Sequence, residues 1–111
     1  MKRPDRSISA ENRAAERELC KALVAMESMD EVRNLLRDLC TPAELEALAD
    51  RWRVVAPLRE GRPYREIHET TGVSVTTIGR VARFLDRGFG GYKLAVERLA
   101  RESDTSQAKQ P

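Results

Sequence analysis

The chain has 111 residues, of which 41% are hydrophobic and 34% are charged, and its formal net charge is +2. A chain of this length fits one domain with a thin core, because folding buries only about two-thirds of the surface that the unfolded chain exposes. Long segments rich in helix formers, such as Ser9–Met26 and Met29–Cys40, favour an all-α fold. Small helical proteins often complete such a core by dimerising.

Several classes of protein are excluded by what the sequence lacks. No apolar run approaches the ~18 residues that span a bilayer, and basic residues 1–6 lead into no apolar segment, so we expect a cytoplasmic protein without membrane contact. Cys20 and Cys40 lack metal-ligand spacing, so we expect no metal and no cofactor. With one histidine, no nucleophile beside a base and no glycine-rich phosphate loop, we expect no enzyme.

Positive charge is concentrated in one segment. Residues 51–93 contain nine Arg and Lys against four Asp and Glu, a local charge of +5, whereas residues 1–50 carry −3 and residues 94–111 carry zero. This distribution suits binding to nucleic-acid phosphates. Charge alone does not distinguish a nucleic-acid-binding surface from an ordinary solvated one.

The polarity of the two ends predicts a flexible arm over residues 1–8 and a disordered tail over residues 103–111, which leaves one helical domain over residues 9–102. In that domain, apolar residues at helical spacing predict two helices that are separated near Ser28 or Asp30. Their apolar positions are Leu19, Leu23 and Met26, then Val32, Leu35, Leu36, Leu39 and Cys40.

A third helix is predicted to begin at Thr41-Pro42-Ala43-Glu44, which combines an N-cap threonine, a proline at the first helical position and the glutamate of a capping box. Pro57 removes a backbone donor, so we expect this helix to kink near Arg53 or to end by Ala56. Its predicted buried stripe consists of Leu45, Leu48, Ala49, Trp52, Val55 and Ala56.

Residues 64–87 predict a helix-turn-helix. A helix over Tyr64–Thr71 ends at Gly72, because glycine enters the left-handed region without a Cβ penalty, and Ser74 can cap the next helix. Apolar residues at the matching offsets would hold the two helices at a steep angle: Ile67, Ile78 and Val81.

His68 departs from this pattern, since many such motifs have alanine where the side chain enters the crossing of the helices. We interpret it as an imidazole tolerated at a slightly opened crossing. The alternative is a pH-sensitive contact.

The outward face of the second helix of the motif offers groups that suit DNA. Thr76 and Thr77 lie in its first turn, which in a recognition helix meets base edges, and Gly79 allows close approach. Arginines suit phosphate or guanine contacts. A plain αα-hairpin is the alternative. The residues expected at DNA are Arg65, Ser74, Val75, Thr76, Thr77, Gly79, Arg80, Arg83 and Arg87.

Four stretches of the chain show a family resemblance: LCTPAEL (39–45), YREI (64–67), TGVSVTTIGRV (71–81) and GYKLAVERL (91–99). With these the chain resembles the Trp repressor superfamily, specifically its TrpR-like YerC/YecD branch, over about residues 15–101. The resemblance implies a six-helix TrpR-like fold and an intertwined homodimer in which the terminal helices of two chains interlock. Such a dimer would bind double-stranded DNA at two half-sites about 34 Å apart.

Tryptophan-responsive members of this superfamily hold L-tryptophan partly through two arginines and a threonine, and Arg51, Arg80 and Thr41 match those positions. An arginine can bind a carboxylate through two hydrogen bonds. Val81 and Phe84 stand where small residues leave room for the indole, and the linker near Gly61 looks one residue shorter. We therefore expect no tryptophan corepressor, and any effector small molecule is unknown.

These observations together predict a sequence-specific DNA-binding transcriptional regulator, a repressor, that acts as a homodimer. The alternative is a helical protein-interaction module with weak or no specific DNA binding.

Overall fold

The structure, a computed structural model, describes the backbone of residues 6–108 and the side chains of residues 9–103. These residues form helices and no strand, which confirms the all-α prediction, and none of the helices has the length and apolar character needed to cross a membrane. The helices are α1 (Arg6–Ala25), α2 (Met29–Leu39), α3 (Pro42–Arg53), α4 (Val55–Arg59), α5 (Tyr64–Thr71), α6 (Val75–Arg87) and α7 (Gly91–Ala108). Only Val54 separates α3 from α4, so the two together form the predicted third helix of a six-helix fold.

A capping box begins α3, and a similar pair of bonds begins α2, where the glutamate accepts the amide of the residue before the N-cap. The Ser28 hydroxyl accepts the Glu31 amide at 3.1 Å, while the Glu31 carboxylate accepts the Glu27 amide at 2.8 Å. The Thr41 hydroxyl likewise accepts the Glu44 amide at 3.1 Å, and the Glu44 carboxylate accepts the Thr41 amide at 2.8 Å. The hydrogen bond from the Thr41 amide is the main cause that lowers the pKa of Glu44. Both helices therefore begin where the sequence predicts.

The break between α3 and α4 confirms the kink predicted near Arg53. Pro57 lies in the first turn of α4, where its missing donor has no intrahelical partner to lose. The break places Val54 and Val55 in the core, at 0% and 1% exposure. The predicted stripe assumed one straight helix, and it is wrong for four residues that stay exposed: Leu48, Ala49, Trp52 and Ala56.

The contacts within the chain divide it after Leu45 into two units. The described residues of the second unit form a core of Val54, Val55, Ile67, Val73, Ile78 and Val81, against which Leu58, Leu85, Tyr92 and Val96 pack. In residues 9–45 of the first unit no side chain is buried. Its exposed apolar side chains include Leu19, Val24, Met29 and Leu39.

Helical structure reaches into both segments expected to be irregular, because α1 begins at Arg6 and α7 continues to Ala108. No glycine or proline interrupts residues 6–25 or 92–108, and each residue added to a formed helix adds a backbone hydrogen bond. The predicted arm and tail are therefore too long by these residues. Their remaining parts, residues 1–5 and 109–111, lie outside the described residues.

Candidate nucleic-acid interface

Helices α5 and α6 form the predicted helix-turn-helix with the predicted bounds. Gly72 ends α5 in the left-handed region at a φ of 76°, and its amide donates to the His68 carbonyl at 2.9 Å. The Ser74 hydroxyl caps α6 by accepting the Thr77 amide at 3.1 Å. The apolar residues expected at the crossing are at most 1% exposed: Ile67, Ile78 and Val81.

Side chains at the end of α5 also hold the turn. The Nδ1 atom of His68 lies 2.7 Å from the Val73 carbonyl oxygen, a distance at which a protonated Nδ1 donates to that oxygen. The Thr71 hydroxyl accepts the Val73 amide at 3.1 Å and donates to the Ile67 carbonyl at 2.6 Å. His68 is exposed. Its predicted place inside the helix crossing is therefore wrong, because the ring bonds the carbonyl of the turn instead.

Two cations, Arg80 and Arg83, border a concavity on the outward face of α6. Arg80 and Arg83 are exposed, and neither has a carboxylate oxygen of residues 9–103 within 4.0 Å. The Arg80 guanidinium carbon lies 5.3 Å from the ring centroid of Phe84, a cation–π contact that orients it. The concavity has a volume of 490 Å³ and is lined by Thr76, Thr77, Gly79, Arg80, Arg83 and Phe84.

At the start of α6, some polar side chains form the helix cap and others are exposed to solvent. The Ser74 hydroxyl donates to the Thr77 hydroxyl at 3.0 Å as well as accepting the Thr77 amide, and Thr77 is half-buried. Thr76 is exposed, and Val75 is 52% exposed. Thr76 is therefore the hydroxyl in this turn that is most open to a ligand.

The basic segment is less uniformly available than its net charge suggests. Arg65 and Arg87 have side chains that are 91% and 82% exposed, and their carboxylate contacts of 3.6 and 3.4 Å are weak and exchangeable. Arg62 is held more closely, at 2.7 Å from Glu60 and 2.9 Å from Glu66, which raises its pKa. Five cations of residues 51–93 have no carboxylate of residues 9–103 within 4.0 Å: Arg51, Arg59, Arg80, Arg83 and Lys93.

Arg51 and Arg80, two of the three residues considered for an effector, line a second concavity of 360 Å³. Phe84 borders this concavity, whereas Val81 packs inward into the core and does not line it. The expectation that L-tryptophan does not bind stays a prediction. Thr41 belongs to the first unit, where its hydroxyl caps α3. The remaining lining residues are Phe89, Gly91 and Tyr92.

A third concavity, which we call the Tyr64 cleft, lies between the start of α5 and the later turns of α6. Its volume is 400 Å³, and its lining residues are Tyr64, Gly79, Ala82, Arg83, Asp86 and Arg87. Tyr64, Ala82 and Asp86 were not among the functional residues predicted from the sequence. The sequence alone could have indicated part of this cleft, because its five α6 residues are spaced three or four positions apart and so lie on one face of the helix.

Chemically, this surface can bind an extended anion. Within residues 9–103 no group of three or more His, Cys, Asp and Glu side chains is placed to hold a metal ion. The first and third concavities share Gly79 and Arg83, so exposed hydroxyls and guanidinium groups follow α6 along most of its length.

Comparison with known proteins gives concordant results. Residues 15–100 match the sequence model of a family described as Trp repressor protein. The uncharacterised protein YerC of Bacillus subtilis is 35% identical over 92 residues, which cover 83% of this chain and 88% of YerC. The crystal structure of a TrpR-like protein from Eubacterium eligens is 39% identical, has a TM-score of 0.74, and is matched over 78% of this chain and 90% of that one. A crystal structure from Staphylococcus aureus has the same TM-score at 33% identity, over 78% of this chain and 87% of that one.

Proposed function

Because the chain belongs to the Trp repressor family, whose members are DNA-binding regulators, we propose that it is a repressor that binds specific DNA sequences as a homodimer. One observation supports DNA as the ligand above others. Arg80 and Arg83 lie exposed and without a carboxylate partner in residues 9–103, on the outward face of a helix whose first turn is fixed by a cap. In a helix-turn-helix this is the face that enters the major groove.

Each side chain on this face has a proposed role. Thr76 contacts base edges, and so does Thr77 through its hydroxyl hydrogen, which the cap does not use. Gly79 lets the helix backbone approach the DNA closely. Arg80 and Arg83 contact phosphates or guanine. The peripheral contacts are assigned to Arg65, Ser74, Val75 and Arg87.

The homodimer is supported by the apolar surface of the first unit. Helices α1 and α2 have apolar side chains at helical spacing, yet no side chain of residues 9–45 is buried. Val24 and Met29 are 84% and 77% exposed. A second copy of the chain would cover such a surface, and a dimer with one reading helix per subunit would contact half-sites about 34 Å apart.

The test removes two charges from α6 and, as a control, two from elsewhere. Arg80→Ala combined with Arg83→Ala should weaken binding to a mixed-sequence duplex and reduce the slope of log K against log salt by about 1 for each phosphate that the protein no longer neutralises. The control combines Arg37→Ala with Arg98→Ala, two exposed arginines outside the motif. It has the same net charge and should keep the wild-type slope. Equal slopes for both double variants would contradict the assignment.

The exposed apolar surface of the first unit also favours a second candidate, a protein-interaction module. This candidate predicts that neither random nor genomic duplexes compete for the protein at physiological salt. Competition by genomic duplexes above random ones supports the regulator instead.

We also propose that DNA binding does not require L-tryptophan. Phe84 supplies an aromatic ring beside Arg80 from the chain itself, so the orientation of this guanidinium needs no bound indole.

A further inference from the structure

The Tyr64 cleft has features that the capping and core interactions of α5 and α6 do not explain. Its small residues are Gly79 and Ala82, one turn apart on α6. Tyr64 borders it from α5, Arg83 and Arg87 border it from α6, and Asp86 lies at the same edge as Arg87.

Gly79 keeps this cleft open without being needed by the protein's own packing. A Cβ atom at this position would meet the Tyr64 Cε2 atom at 3.9 Å, which is ordinary van der Waals contact. Its backbone is helical and needs no positive φ. Glycine inside a helix is less stable than alanine, so neither sterics nor stability explains the residue. An open surface on α6 is what it provides.

Two polar groups that line the cleft, the Tyr64 hydroxyl and the Arg83 guanidinium, are donors without partners in residues 9–103. Tyr64 is 42% exposed, and its hydroxyl has no hydrogen bond to any described side chain or backbone group. Arg83 has no carboxylate of residues 9–103 within 4.0 Å. A hydroxyl donor and a guanidinium that line one cleft match the oxygens of a phosphodiester.

We propose that the Tyr64 cleft binds a backbone phosphate of the DNA, to which the Tyr64 hydroxyl and the Arg83 guanidinium donate. This inference rests on the proposed function and adds to it a second contact from α5, beside the peripheral one assigned to Arg65. The cleft shares Gly79 and Arg83 with the concavity over the first turns of α6, so a strand that contacts those turns continues into the cleft. That continuity favours the DNA backbone over a separate acidic peptide.

Asp86 gives the cleft a second property. Its carboxylate lies 3.4 Å from the Arg87 Nε atom and repels a phosphate, so it weakens backbone binding of any sequence. The cleft thereby contributes an attractive group, Tyr64, and a repulsive one, Asp86, to the same contact.

The first test compares the two tyrosines of the chain. Tyr64→Phe removes only the hydroxyl and should weaken binding to a mixed-sequence duplex about tenfold, the effect of one hydrogen bond to a charged group. Its salt slope should stay at the wild-type value, because tyrosine carries no charge. Tyr92→Phe should leave affinity unchanged, since the Tyr92 ring stacks on Trp52 outside the cleft. Equal affinities for Tyr64→Phe and wild type would overturn the proposal.

Two further measurements separate this proposal from the proposed function. Asp86→Asn should strengthen binding to any duplex several-fold, and unchanged or weaker binding would overturn the cleft assignment. With 3-fluorotyrosine incorporated, the ¹⁹F resonance of Tyr64 should shift on addition of DNA while that of Tyr92 stays in place. DNA binding that depends on Arg80 but leaves Tyr64 unshifted refutes the cleft alone, whereas absence of DNA binding refutes the function itself.

Discussion

The most discriminating substitution is Gly79→Ala, because it should stabilise the protein and weaken its binding to DNA. The added methyl group would lie 3.9 Å from the nearest heavy atom of another element, Tyr64 Cε2, so it meets no clash in the free protein. Replacing an interior helical glycine by alanine stabilises a helix by about 0.5–1 kcal/mol. A change of 1 kcal/mol corresponds to a rise in melting temperature of roughly 4–8 °C for a domain of 60–100 residues.

The same methyl group would project into the surface where DNA is proposed to approach. Overpacking at a close contact costs about 1–3 kcal/mol. DNA affinity should therefore fall roughly 5- to 150-fold. Thermal unfolding and fluorescence anisotropy with a mixed-sequence duplex measure the two effects on one preparation.

Gly91→Ala is the matched control. A Cβ atom added to Gly91 would have no heavy atom within 4 Å, and the residue begins α7 outside the recognition face. This variant should leave DNA affinity unchanged. If Gly79→Ala is more stable but binds DNA as tightly as the wild type, then no close approach occurs at Gly79, and the placement of DNA on α6 is refuted.

Three further outcomes follow from the structure. His68→Leu should lower the free energy of unfolding by about 0.5–1.5 kcal/mol, because it removes the hydrogen bond to the turn, and an unchanged urea midpoint would show that this bond is not formed in solution. Hydrogen bonds from Thr41 lower the pKa of Glu44, so the ionised carboxylate stabilises the fold fully above the ordinary glutamate pKa of about 4.3, and this stabilisation is lost as pH falls through the lowered pKa. Glu44→Gln should therefore flatten the acid side of the plot of unfolding free energy against pH. A plot parallel to that of the wild type would contradict this assignment. Saturating L-tryptophan should leave the Kd for DNA unchanged, and a several-fold tighter Kd would show that the concavity beside Arg51 and Arg80 holds a corepressor.

The elements that the sequence predicted well are those fixed by neighbouring residues. The capping box at Thr41 and Glu44, the left-handed Gly72 and the Ser74 cap each depend on groups within three or four positions, so their residue types suffice to place a helix end. The break near Arg53 is predictable for the same reason, since proline acts on the preceding turn.

The burial of side chains near that break was not predictable in the same way. A straight-helix pattern selected Trp52 and missed Val54, because interrupting the helix by one residue rotates the buried face. His68 was likewise placed from a pattern of positions, whereas its ring is set by a carbonyl five residues later.

In the candidate site too, features set by local pattern were predictable and features set by packing were not. The sequence could locate Arg80 and Arg83 on the outward face of a helix, since period and charge determine the face. It could not show that Arg62 is held by two carboxylates while Arg83 meets none in residues 9–103. Nor could it show that the Tyr64 ring of α5 lies beside Gly79 of α6, because this proximity depends on the angle at which α5 and α6 pack.

The central claim is that this protein reads specific DNA sequences as a homodimer through α6. Selection of genomic fragments by the purified 111-residue chain, followed by sequencing of the bound fraction, tests it most directly. We expect enrichment of fragments with two similar half-sites whose centres lie about 34 Å apart, one turn of DNA. A bound fraction with the composition of the input would contradict the claim.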